Sequence, residues 1–210
     1  MPSGTYLLSG PDGPFARERF ASAPGPLGWR YAATREHPVS GAPLGGLDLV
    51  LDARGRVLRL QMTAAGWELR GGAVGDAQVL WLRGDVEQAA VAEGFTGTSP
   101  AFALAAVRRL RPGSAGVRGR FAHVGDDALA VVLVDRIWRS AGPAFEVDDL
   151  ATGERGTVLI EGDVVRSAPG AVLAALDRGP DAGLGPVFHD RPGERSDTVV
   201  AGLADFGWQR

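Results

Sequence analysis

Cysteine, lysine and asparagine do not occur in this chain of 210 residues. Without cysteine there are no disulfides, no thiolate chemistry and no zinc site built on sulfur. Without lysine there is no phosphate-loop lysine. Every one of the 22 basic residues is therefore arginine. That pattern is a codon bias of a GC-rich genome, or a selection for bidentate anion recognition. A strong charge of one sign is missing too. The net charge of −3 argues against a nucleic-acid footprint, so no nucleic acid is expected as a partner. No run of eighteen apolar residues occurs, which predicts no membrane span. The opening MPSGTYLLSGPDG has no basic region followed by a long apolar stretch. It predicts no signal peptide and a cytoplasmic location. GxSxG and HxxxH are both absent, so neither a hydrolase elbow nor a paired-histidine metal site is expected. No catalytic residue, metal or cofactor is assigned.

What remains is a chain of ordinary apolar content and nearly balanced charge, which folds rather than staying disordered. Its length suits one domain, over 1–178, with a partly ordered tail over 179–210. Such a chain buries roughly 70% of its unfolded surface and needs no staples. The most apolar segment is Ala128 to Val134, preceded by Gly125-Asp126-Asp127. It predicts two antiparallel strands, 117–124 and 128–139, joined by that turn. An unbroken apolar run further predicts a strand covered on both faces.

The clearest hairpin is LDLVLDARGRVLRLQM (47–62). Leu47, Leu49 and Leu51 alternate onto one face, and Leu58, Leu60 and Met62 onto another, with Val57, Arg59 and Gln61 opposite. Further strands are expected at 5–9, as an edge, and from Trp29 to Ala32, with Trp29 and Tyr31 on one face. Others follow at 66–70, cut by Gly71-Gly72, at 78–83, at 145–148 and at 156–160. Strands arriving this often imply a mainly β fold: a curved antiparallel sheet or half-barrel, with one or two short helices on its concave side. The clearest helix is SPAFALAAVRRL (99–110), with Ser99 as N-cap, Pro100 in the first position and Pro112-Gly113 closing it. A helical turn over 16–20 and one or two turns over 171–176 are also expected. Residues 87–92 read as strand or helix.

Candidate chemistry is sparse. Of the three histidines His37, His123 and His189, His123 lies in the 117–124 strand with Asp126 and Asp127 at the turn beyond it. It is either half-buried and structural or part of a cavity with one of those carboxylates. Gly94 to Ser99 is a helix-capping turn or an anion-holding loop. Asp148-Asp149 and Glu161 with Asp163 are solvated ends or acid–base pairs. Arg108-Arg109 and Arg118 with Arg120 solvate an outer face or hold a phosphate or carboxylate head group. Five tryptophans against two tyrosines fill a core, or line the apolar concavity of a curved sheet.

The order of these motifs resembles a family of bacterial domains of unknown function named for glycolipid binding. The matching pieces are GWELRG (66–71), GFTGTSPAFALAAVRRL (94–110) with its closing Arg108-Arg109-Leu110, and GDVVRSAPG (162–170), over residues 60–175 in all. The asparagine, isoleucine and tyrosine of the family patterns are missing here. The resemblance implies the fold of the periplasmic lipoprotein carriers, an unclosed barrel plugged by helices. It implies an amphipathic ligand, a glycolipid or another lipid.

The first expectation is therefore a non-enzymatic binder of an amphipathic small molecule. Trp67, Trp81, Phe102, Phe121, His123 and Trp138 would line its cavity, and Arg108 and Arg109 would meet the polar head. The alternatives are a small-molecule enzyme using His123 with Asp126 or Asp127, and an interaction scaffold with an exposed strand edge. A homodimer is carried as a candidate assembly.

Overall fold

A computed structural model describes residues 1–25 and 28–177. Among them, fifteen strands and one helix follow one another. The strands are β1 (Ser3–Gly10), β2 (Gly13–Gly25), β3 (Gly28–Glu36), β4 (Pro43–Leu51), β5 (Val57–Ala64), β6 (Trp67–Val74), β7 (Gln78–Arg83), β8 (Val86–Val91) and β9 (Gly94–Thr96). The helix α1 (Pro100–Leu110) comes next. Then come β10 (Val117–Val124), β11 (Val131–Ala141), β12 (Ala144–Asp149), β13 (Arg155–Glu161), β14 (Val164–Ala168) and β15 (Ala171–Leu176).

All fifteen strands belong to one sheet, ordered from β8 down to β1, then from β15 down to β9. From β1 to β8 and from β10 to β15 sequence neighbours pair antiparallel, β1 pairs antiparallel with β15, and the β9–β10 pair is parallel. The sheet is open, with β8 and β9 at its ends, yet it curls until those ends approach. Trp81 of β7 and Phe95 of β9 meet edge to face at 6.4 Å. That contact explains a glycine in mid-strand, since a Cβ at Gly71 would lie 2.8 Å from the Phe95 ring.

The inner face is read from alternation. Leu47, Leu49 and Leu51 of β4, Leu60 and Met62 of β5 and Leu69 of β6 are buried. So are Tyr6, Phe20, Trp29 and Tyr31 on the strands to the other side. The helix packs on this face through Phe102, Leu104, Ala105 and Ala106. Ser99 caps it, its Oγ accepting from the Ala101 N–H, and Arg111 ends it in the left-handed region at φ 48°.

Six expectations change, and the open reading of 87–92 is settled. Residues 16–20 continue β2, because Ala16, Glu18 and Phe20 alternate inward at period two while Arg17 and Arg19 face out. Residues 171–176 form β15, which takes the place beside β1; pairing on both sides of β1 overrides the weak helical pattern. The first strand thus lies inside the sheet, not at its edge. Of residues 87–92, all but Ala92 belong to the edge strand β8 (Val86–Val91). Gly71-Gly72 does not cut β6, which runs through to Val74. A register shift opposite Val50/Leu51 turns Val57 inward and leaves Leu58 partly buried.

The apolar run 128–134 is the sixth. Residues 125–130 form a loop in which Leu129 is fully buried at φ 50°, and β11 begins at Val131. Val132 and Leu133, on opposite faces, are 56% and 50% exposed. Among the described residues the strand is not covered on both faces. An antiparallel sheet curled round one helix has cover on its concave side alone, and only where the helix reaches. The tail expected over 179–210, with His189, lies outside the described residues.

This distribution of burial is testable. Leu49→Ala should cost about 2–5 kcal/mol in urea unfolding, as a fully buried leucine does, and Leu133→Ser less than about 1 kcal/mol. Equal costs would return the core to the 128–134 run.

Candidate functional site

Residues opposite one another on antiparallel strands share a face, so the registers trace rows across the concave side. One row reads Phe20, Ala33, Leu47, Met62 and Leu69 from β2 to β6, mostly large and apolar. The adjacent row reads Tyr6, Glu18, Arg35, Gly45, Ala64 and Trp67 from β1 to β6. Between Arg35 and Trp67 it holds only a glycine and an alanine across three strand steps, about 14 Å. The row cannot fill itself.

A cleft of about 700 Å³ opens there. Phe15, Pro43, Leu44 and Trp67 form its apolar walls, and Arg35, His37, Glu68, Asp126 and Asp127 its polar ones. Gly45 is required on its floor. At φ +133° a Cβ would stand 1.8 Å from the Thr63 carbonyl oxygen. Trp67 stands at the rim, 43% exposed, with the Arg83 guanidinium 3.9 Å from its ring centroid.

A buried polar cluster closes the inner end. Glu18 has no exposure. Its Oε1 accepts from the Tyr31 hydroxyl and from Ser99 Oγ, each at 2.6 Å, and its Oε2 from Arg35 Nε at 2.8 Å. Arg35, 95% buried by its 5% exposure, also donates from Nη1 to Asp126 at 2.6 Å. Thr98 donates its hydroxyl to the other Asp126 oxygen. Arg35 Nη2 is shielded from solvent and has no partner among the described residues. Burial lowers the Arg35 pKa, but the charges of Glu18 and Asp126 outweigh this and hold it above its ordinary value. Burial, then the Glu18 charge, raises Tyr31, which stays a protonated donor.

Of the eight residues singled out in the sequence, Trp67 lines this cleft. Trp81 is buried, donating its indole N–H to Gln88. Phe102, Phe121 and Trp138 are buried in the packed interior. Arg108 lies over the Trp29 ring and pairs with Asp163 at 2.6 Å. Arg109 pairs with Glu93 and donates to the Asp76 carbonyl. Both arginines are thus engaged away from the cleft. His123 is half-buried, and its Nδ1 bonds to Thr96 Oγ1 at 3.1 Å rather than to Asp126 or Asp127. Burial, then the charge of Arg136, lowers its pKa.

The other candidates are accounted for by ion pairs. Asp148 meets Arg139 and Arg155, Asp149 meets Arg136, and Glu161 meets Arg166. Arg118 and Arg120 share Asp135, whose pKa their hydrogen bonds lower to about 2. No group of three potential metal ligands occurs among the described residues.

Glu18 and Arg35 escaped sequence reading although a signal was present. Each sits in the inward phase of an alternating strand, beside Ala16 and Phe20 or beside Tyr31 and Ala33. A charge in that phase is a buried charge in need of a partner.

No family model and no curated protein matches the chain. Its structure is similar to the crystal structure of a DUF1089 family protein from Pseudomonas aeruginosa, with a TM-score of 0.55 and 18% identity. The match covers 73% of this chain and 89% of that one. The likeness is one of fold.

Two outcomes follow. Arg35→Met should cost about 3–5 kcal/mol by leaving Glu18 uncompensated, and adding Glu18→Gln should recover at least about 1 kcal/mol in a double-mutant cycle. His123, with its folded pKa below the unfolded value, contributes stability that is complete above about pH 6.5 and lost as pH falls through the lowered value. His123→Gln should flatten that part of the stability-against-pH curve, measured by urea unfolding between pH 7 and 5.

Proposed function

We propose that the protein binds an amphipathic small molecule, a glycolipid or lipid-like compound, in the cleft between Arg35 and Trp67, and performs no chemistry on it. The single observation that carries this reading is the unfilled row. Gly45 and Ala64 leave about 700 Å³ open on the concave face, apolar at Phe15, Leu44 and Trp67 and polar at Arg35 and Asp126. That volume lies in the range of small-molecule sites, and the mixture of lining is the usual one. The family resemblance seen in the sequence points the same way.

The binding residues are accordingly drawn from the cleft. Trp67 is kept from the sequence expectation. Trp81, Phe102, Phe121 and Trp138 belong to the packed core, and Arg108 and Arg109 tie the helix to Asp163 and Glu93. An enzymatic role has less support, since His123 bonds to Thr96 and both Asp126 oxygens are held by Arg35 and Thr98. The interaction-scaffold reading draws on β8, an edge strand with Val86 and Val91 exposed, through which two copies would pair as a homodimer.

The test is tryptophan emission during titration with an alkyl glycoside below its micelle threshold. The emission should shift and saturate, the response should vanish in Trp67→Phe, and Ala64→Phe should weaken binding by about tenfold by filling the floor. A wild-type emission that stays flat would remove the reading.

A further inference from the structure

We infer that the cleft selects an uncharged head group carrying an oxygen acceptor, an ester or amide carbonyl or a hydroxyl, and rejects carboxylates and phosphates. The inference rests on the reading of the cleft as an amphipathic-ligand site and adds to it the chemistry of the head. Three observations carry it.

The first is a donor without an acceptor. Arg35 lines the cleft and is 95% buried by its 5% exposure, and its Nη2 has no partner among the described residues while Nε and Nη1 are both engaged. A buried guanidinium N–H left unpaired is costly, so an occupant that brings an oxygen to it is favoured.

The second is the charge around that donor. Arg35 is already opposed by two carboxylates, Glu18 and Asp126. Asp127 and Glu68 add two more to the polar wall, and Glu68 alone of these has a surface arginine, Arg70, beside it. An incoming carboxylate or phosphate would meet a guanidinium already opposed by two carboxylates and a wall carrying two more, against which Arg83 at the Trp67 rim is a single cation. A neutral oxygen meets the same donor without the repulsion.

The third concerns a cationic head. A quaternary ammonium finds carboxylates here but has no lone pair to offer Arg35, and its usual aromatic seat is occupied. The guanidinium of Arg83 lies 3.9 Å from the centroid of Trp67. The arginines expected from the sequence to receive an anionic head, Arg108 and Arg109, are paired with Asp163 and Glu93 instead.

The experiment compares four probes of one chain length by calorimetry and Trp67 emission at pH 7: monodecanoylglycerol, decanoate, decyl phosphate and decyltrimethylammonium. The neutral ester should bind at least about tenfold more tightly than each of the charged probes. Asp127→Asn should narrow the gap between the ester and decanoate several-fold. Glu18→Gln/Arg35→Met, in which no buried charge is orphaned, should lose about tenfold for the ester while keeping its circular dichroism. Equal binding of all four probes, or tighter binding of a charged one, overturns the head-group selection and leaves the cleft reading standing. Binding of none overturns both.

Discussion

A carboxylate with no exposure has to be supplied with donors, and Glu18 takes three from two separate parts of the chain. Tyr31 and Arg35 come from the neighbouring strand, and Ser99 comes from the residue that caps the helix. In a dry interior each of these bonds is strong and each missing one is expensive. The position of α1 on the sheet is therefore set by a polar contact at its first turn as well as by Phe102, Ala105 and Ala106 beyond it. Through Arg35 the same cluster reaches Asp126 and so orders the loop between β10 and β11. Two distant parts of the sheet and the helix start meet at one point.

The cleft is a consequence of that arrangement. One helix of eleven residues cannot cover the concave side of a fifteen-stranded sheet. It covers the rows that carry leucine and phenylalanine. The row beyond the cluster, with Gly45 and Ala64, stays open. The arginines follow a different economy. Most of those prominent in the sequence face a carboxylate across a strand pair, as Arg118 and Arg120 face Asp135 and Arg139 faces Asp148. They hold strands in register at exposed positions, where each pair contributes little. Arg35 differs because it is buried and, among the described residues, has a donor left over.

Much of the fold was legible from period and punctuation. The hairpin at 47–62 announced itself by alternating leucines around Asp52 and Gly55, and Asp52 does accept from the Arg54 and Arg56 amides. Ser99, Pro100 and the residues after Leu110 bounded the helix correctly. The failures have one cause. A run such as 128–134 reports apolarity but not what lies above it, and 171–176 reports a weak local preference but not the partner waiting on β1. The site was legible only in part. Trp67 was singled out for its aromatic ring. Glu18 and Arg35 carried a signal in their inward phase, but their pairing joins residues 17 apart with a helix cap 81 residues from Glu18.

Local pattern, then, was enough for the class of fold, the turns and the helix, because these depend on neighbours within a few residues. The strand order, the exposure of Val132 and Leu133 and the hollow at Gly45 were decided by the tertiary structure. They depend on which rows come to lie under the helix, and that is a matter of register summed across a sheet of fifteen strands, to which every turn and bulge contributes.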